Sequence, residues 1–330
     1  MRKLRRLSAL AVWSDVMFLT RQTRNRAIVY GIVLFLFNLI LGAHAPGQTP
    51  GNLEGKTITL GIVAEINQQE IENHFREFVR YVASKISSTP TIEGRVVVAA
   101  TPSQLADLLR QKKVDFYMDS PYPTYIINDV YGAGKLLLRR WKNGIAEYQS
   151  LIFTKSGSET KRLVDLRGKI IAFEDPGSTS GYFLPKLFLS RMGFKFSQKS
   201  GTEAQVSPGD VGYVFAYSQE KLVNLVLTKQ VAAGAFSNDD YGALDEMKKS
   251  DITILAETER LPHHLLSIRA DLPPGFAGRL EQILLSMHED PEGRLILEKT
   301  SDTTKFDALP GGEAGMRRRL LETFFSPDKK

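Results

Sequence analysis

KIIAFEDPGSTSGYFLP, residues 169–185, changes character twice in one short run. It opens as an apolar, β-branched strand over 169–175 and turns at Pro176 and Gly177. It then presents three hydroxyl side chains, Ser178, Thr179 and Ser180, ahead of Tyr182, Leu184, Leu187 and Phe188 at helical spacing. A strand that passes through a tight turn into a helix is the building unit of an α/β fold. The hydroxyls therefore fall at a helix N-terminus and at the carboxyl end of a strand, where unpaired backbone N–H groups and the positive end of the helix dipole converge. Three such donors, with Gly177 and Gly181 letting the backbone come close, suit a tetrahedral or carboxylate oxyanion. Ordinary N-capping is the plainer alternative, and it needs only one hydroxyl. No Gly-Lys-Ser/Thr follows, so the turn is not a nucleotide-hydrolysing phosphate loop.

The same alternation extends in both directions. Upstream lie strand TITLGIVA (57–64), a helix with Ile71, Phe75, Phe78, Val82 and Ile86 on one face, and strand RVVVAA (95–100). A helix opened by Thr101, Pro102 and Gln104 and the strand VDFYMD (114–119) complete this run. Downstream come a helix ending near Met192 with Gly193 behind it, a helix over 220–228, and strands QVAAGAF (230–236), ITILAET (252–258) and HLLSIRADLPP (264–274). Helices opening at Pro274, near Pro291 and over 315–325 close the chain. Two such runs predict two lobes, each a mostly parallel sheet flanked by helices, with ligands gathering at the carboxyl ends of the strands. Crossings are expected near 155–162 and 258–264, which makes a two-strand hinge beside a cleft. Residues 56–158 plus 259–330 then form one lobe and 159–258 the other.

Residues 1–45 read differently. Seven Lys/Arg and one acid, Asp15, surround an uncharged run of 15, Ala27–Leu41, which is followed by Gly42 and Ala43-His44-Ala45. Basic flank, short apolar segment and A-x-A site predict a secretory signal peptide, with a retained membrane anchor through Ala27–Leu41 as the alternative and Met17 as a second candidate start. Either way the positive-inside rule puts everything after residue 45 outside the cytoplasm. Removing those seven bases and one acid from totals of 43 and 37 leaves 36 of each. A neutral body without a basic stripe argues against nucleic acid as a partner. The absence of cysteine excludes disulfides, a thiol nucleophile, an iron–sulfur site and a lipidated cysteine.

The motifs DPGSTSGYFLP and KVDFYMDSPYPTYI (113–126) resemble those of the phosphate/phosphite/phosphonate-binding periplasmic proteins of ABC importers, the PhnD-like family. The similarity runs in order from about Thr57 to Leu309 and takes in Gly61–Val63, PSQLADLLRQKKVD (102–115) and DPEGRLILEKT (290–300). It implies a type II two-lobed periplasmic-binding-protein fold that closes over a small oxyanion and delivers it to an inner-membrane ABC permease, with a monomer expected. It also implies that Ser178, Thr179 and Ser180 hold the phosphorus-bound oxygens. Across the cleft the resemblance puts Asp119, Ser120, Pro121 and Tyr122. Ser120 and Tyr122 would donate to oxygens or wall the pocket, and Asp119 would accept from a protonated phosphate or an amino group; a capped turn with Tyr122 packed in the core is the alternative. Two departures stand out. Where the family has Gly-His-Glu, this chain has Ser218, Gln219 and Glu220, so Gln219 offers one hydrogen bond but no charge. The acid of the following strand is replaced by Ala232. Asn238, with Asp239 and Asp240, either lines the cleft or forms a solvated loop.

Rival classes fare worse. No histidine sits in a nucleophile-base context, and no metal motif or cofactor fingerprint is present, so neither an enzyme nor a metal or cofactor site is expected. His263 and His264, beside Pro262, are expected to face opposite ways along a strand, which disfavours a joint metal site. The strongest rival is a membrane-anchored sensor that uses the same anion-binding lobes to signal to a partner receptor.

Overall fold

The computed structural model describes residues 57–86 and 92–326, so the expected leader and anchor segment lie outside the described residues. Among the described residues no helix is long and apolar enough to cross a membrane. Along the chain the strands are β1 (Thr57–Val63), β2 (Glu93–Ala99), β3 (Phe116–Asp119), β4 (Gly134–Lys142), β5 (Glu147–Tyr148), β6 (Ser150–Lys155) and β7 (Ile170–Phe173). They continue as β8 (Lys195–Gln198), β9 (Asp210–Phe215), β10 (Ala233–Ser237), β11 (Ile252–Glu257), β12 (Leu261–Pro262), β13 (His264–Arg269) and β14 (Thr303–Ala308).

Two six-stranded sheets organise the molecule, in the orders β14-β4-β13-β3-β1-β2 and β11-β6-β10-β7-β9-β8. In the first, β1 runs parallel to β2 and β3, while β13 is antiparallel to both β3 and β4. The carboxyl ends of β1, β3 and β4 and the start of β13 thus share one edge. In the second, β7, β8, β9 and β10 run parallel and β6 is antiparallel to β10 and β11, so the ends of β7 and β10 meet the start of β6. A short antiparallel ribbon, β5 with β12, links the two sheets.

The first crossing therefore falls at β5, not over 155–162 as the sequence suggested. Residues 150–155 were assigned to the first lobe, yet as β6 they pair with β10 and β11 inside the second sheet. Five of its six residues are buried, so its continuous apolar pattern is that of a central strand, and the Gly157 turn behind it only reverses the chain within the lobe. The return lies between β11 and β13.

Local signals explain several elements. Thr101 caps the helix Pro102–Arg110 by accepting from Gln104 N at 3.2 Å, while Gln104 Oε1 accepts from Ala100 N at 2.9 Å, one residue earlier than a standard capping box. Helix Gln68–Ile86 buries Phe75, Phe78, Val79 and Val82 against the first sheet. It comes so close to β2 that a Cβ on Gly94 would sit 2.5 Å from Val79 O. Each lobe has its own core, the first around Leu60, Phe78, Phe116 and Phe306, the second around Phe153, Val214, Leu222 and Phe236. A further cluster spans both: Leu184 of the second lobe packs with Leu261, Leu265, Met316, Leu320 and Phe324.

Candidate functional site

The hydroxyl turn sits where its sequence put it. β7 ends at Phe173 and the chain turns through Asp175, whose Oδ1 accepts from Gly177 N at 2.7 Å. Thr179–Phe183 then forms a wide π turn that runs into the α-helix Leu184–Arg191. The π geometry shows in Phe183 N donating to Ser178 O at 3.0 Å, five residues back, a departure common at functional sites. Ser178 caps the turn by accepting from Gly181 N at 2.9 Å and donates its own hydrogen to Glu174 Oε2 at 2.7 Å. Gly181 is required by crowding, since a Cβ there would meet Glu174 Oε2 at 2.6 Å and Ser178 Oγ at 2.8 Å.

Groups of the first lobe close on this turn. The Thr179 hydroxyl donates to Ser120 Oγ at 2.9 Å and accepts from Tyr122 N at 2.9 Å, so Ser120, Tyr122 and Thr179 meet at one point between the lobes. Thr179 and Ser180 are buried, and Ser180 O accepts from Ser150 Oγ at 2.6 Å. Tyr122 contributes its backbone N–H. Its ring is stacked on Phe183 at 3.9 Å and meets Phe324 edge-on, so the packed alternative describes its side chain. Asp119 lies at the end of β3 and its Oδ1 accepts from Ser120 N at 2.7 Å.

Acids surround the hydroxyls, and burial dominates their chemistry. Burial raises Asp119 to about 7, with Asp175 adding to the effect. Burial also raises Glu174 to about 7, reinforced by Asp240 and Asp175, while Ser178 and Lys142 pull it down. Near neutral pH both carboxyls are partly protonated and able to donate as well as accept. In the first lobe, Arg140 and Lys142 of β4 and the His264 imidazole of β13 line a cavity of about 230 Å³ together with Asp119, Met118 and Ser301.

Two expected residues hold structure instead of facing this cluster. Asn238 Oδ1 accepts from Gln149 N at 2.8 Å and its Nδ2 donates to Asp239 Oδ1 at 3.1 Å, locking the end of β10 to the start of β6. Gln219 Nε2 donates to Asp240 O at 3.3 Å. His263 and His264 do not face opposite ways: their rings stack at 4.8 Å and their Nδ1 atoms lie 2.6 Å apart. The cause is the break between β12 and β13, which takes His263 out of strand geometry. His263 also bonds Asp239 and stacks on Tyr148 at 4.6 Å. Among the described residues no group of three or more His, Asp or Glu side chains is placed to hold a metal ion.

Tyr148 borders the turn, and Arg140, Lys142 and His264 border the neighbouring cavity, none of them expected there from the sequence. Tyr148 stands beside the Thr179 and Ser180 hydroxyls, and burial pushes its phenol well up. A signal for the basic pair existed: Leu136, Leu138, Arg140 and Lys142 alternate in GKLLLRRWK, so the core-facing row of a strand ends in two cations.

Residues 60–309 match the family model described as the periplasmic substrate-binding protein of a phosphonate ABC transporter. The phosphate-import protein PhnD of Mycolicibacterium smegmatis is 26% identical over 179 residues, 53% of this chain and 53% of that protein, so the match spans about half of the relative's length. The structure of XAC2383 from Xanthomonas citri bound to ATP superposes with a TM-score of 0.73 at 26% identity, covering 81% of this chain and 95% of that one. PhnD1 from Prochlorococcus marinus in complex with methylphosphonate gives a TM-score of 0.61 at 16% identity over 82% of this chain and 97% of that one, a likeness of fold. The architecture is the two-lobed, type II periplasmic-binding-protein fold.

Proposed function

We propose, from the premise that this chain belongs to the family of periplasmic substrate-binding proteins of phosphonate ABC transporters, that it binds a phosphorus oxyanion between its lobes and hands it to an inner-membrane permease. The observation that carries this reading is the meeting of Thr179 with Ser120 Oγ and Tyr122 N, each at 2.9 Å, because it brings donors from both lobes to one point at the start of a helix. In this reading an oxyanion takes up the bonds these groups now make to one another. Thr179, Ser120, the Tyr122 N–H, Ser178 and Ser180 turn to its oxygens, with the helix dipole behind them. Charge-assisted bonds of this kind contribute about 1.5–3 kcal/mol each, more than the neutral hydroxyl pairs they replace. Asp119 and Glu174, raised to about 7, are readily protonated beside an anion and so need not repel it.

The 26%-identical relatives support a phosphorus-containing ligand, one being a phosphate-import protein and the other having been solved with ATP. The family supports an extracytoplasmic location. The test is a thermal-shift and calorimetric panel of phosphate, phosphite, methylphosphonate, aminoethylphosphonate and sulfate on the mature protein. A phosphorus oxyanion is expected to stabilise the fold and to bind more tightly than sulfate; no response to any of the phosphorus anions would refute the reading.

A further inference from the structure

Strand β4 carries an inward row that ends in charge. Leu136 and Leu138 are buried, and so is Arg140, whose residue is 2% exposed. Arg140 Nε donates to Thr303 Oγ1 at 2.7 Å and Nη2 donates to Thr300 O at 3.3 Å and to Ser301 O, all of them neutral acceptors. Among the described residues this guanidinium makes no salt bridge: the Asp302 carboxylate favours its charge only from a distance, and Nη1 donates to no described acceptor. A buried cation is ordinarily paired, because its desolvation is otherwise uncompensated. His264 stands directly opposite Arg140 on β13. Burial and the neighbouring charges of Arg140, His263 and Lys142 hold its imidazole neutral. Lys142 is half-buried, and its ammonium makes no hydrogen bond or ion pair with any described residue. All three line the cavity of about 230 Å³.

That cavity lies one residue from the first-lobe contact of the hydroxyl turn. Asp119 forms part of its wall, and the next residue, Ser120, touches Thr179. Lys142 is also felt by Glu174, the carboxylate that accepts from Ser178. We infer that Arg140, Lys142 and His264 receive a second acidic group of the ligand, so that the preferred ligand is a phosphorus oxyanion bearing a carboxylate or a second phosphoryl group on a short spacer. The inference rests on the proposed oxyanion site and adds a second charge to what that site accepts. Apolar walls from Ile62, Phe75 and Met118 suit the carbon atoms that join the two groups. A planar guanidinium with a free donor matches a carboxylate or phosphoryl edge, and the ammonium adds a point charge beside it.

The experiment is calorimetric titration of the mature protein with phosphonoacetate, 3-phosphonopropionate and methylphosphonate, repeated on Lys142→Gln and Arg140→Gln. At least one of the two diacids is expected to bind at least tenfold more tightly than methylphosphonate. Lys142→Gln is expected to remove that advantage while leaving methylphosphonate affinity within about twofold. Because Lys142 is only half-buried, its variant keeps the test valid if Arg140→Gln fails to fold. Equal affinity for diacids and methylphosphonate, or equal weakening of both by Lys142→Gln, would overturn the second-group inference and leave the oxyanion site standing. Failure of the wild type to bind any of the three would overturn the second-group inference, and the oxyanion reading falls with it only if phosphate and phosphite also fail to bind.

Discussion

At the scale of the residue, the chemistry is set by hydroxyls and carboxyls that burial has forced together. Thr179 is the junction: its oxygen both donates to Ser120 and accepts from the Tyr122 N–H. Ser178 is committed to Glu174, so it can turn to a ligand only if Glu174 gives it up. That carboxyl is raised from 4.5 to about 7, chiefly by burial. Between these values the folded protein holds a proton that the unfolded chain has released, so stability falls as pH rises through the window. Glu174→Gln cannot ionise and is expected to melt higher than wild type at pH 8 and to flatten the pH dependence of melting between 5 and 8. Asp119, raised into the same window, keeps part of the slope in both proteins, so only a fully parallel pH dependence would show that Glu174 does not titrate there. Such a raised carboxyl could not be read from the sequence. Glu174 appears there as one acid beside another, and its shift comes first from burial and then from neighbours as distant in the chain as Asp240.

At the scale of the element, the strand-turn-helix over 169–185 was legible because its pattern is local: β-branched run, turn residues, hydroxyl cap and apolar helical face all occur in order. The π turn was not, since nothing in the residue types separates a five-residue hydrogen-bond step from a four-residue one. Strands β4, β5, β6, β8, β9, β12 and β14 were missed, and the two cations that line the cavity of about 230 Å³ went with β4. Its inward row keeps period 2 but changes from leucine to arginine and lysine, which a search for apolar alternation does not follow. The terminal helix Gly312–Phe325 ties the lobes together: Arg191 Nη2 donates to Thr323 O and Ser326 O at 2.9 Å each, and Phe324 meets Phe183 edge-on at 4.9 Å. Phe324 is buried, so Phe324→Ala is expected to cost about 3–5 kcal/mol in urea-unfolding free energy, the range for emptying a large aromatic from a core. A loss below about 1 kcal/mol would mean that this helix end does not hold the lobes.

At the scale of the whole molecule, two sheets joined by the β5–β12 ribbon present their strand ends to one another, and the hydroxyl turn and the β3 terminus meet across that line. The alternation of strands and helices was enough to foresee two lobes and a cleft. The misplaced first crossing came from a central strand whose neighbours are far away in sequence, β10 and β11. A ligand held between lobes binds only the folded, closed form, so a saturating anion at 100 times its Kd is expected to add about 2.7 kcal/mol to the unfolding free energy. Small-angle scattering should show a more compact particle on adding that anion; an unchanged profile would argue against lobe closure. The most direct measurement of the hydroxyl turn's role is calorimetric titration of wild type and Thr179→Ala with methylphosphonate at constant pH. The Thr179→Ala protein is expected to keep its melting temperature within a few degrees and to bind tenfold or more weakly, whereas undiminished affinity would take the hydroxyl turn out of the binding site.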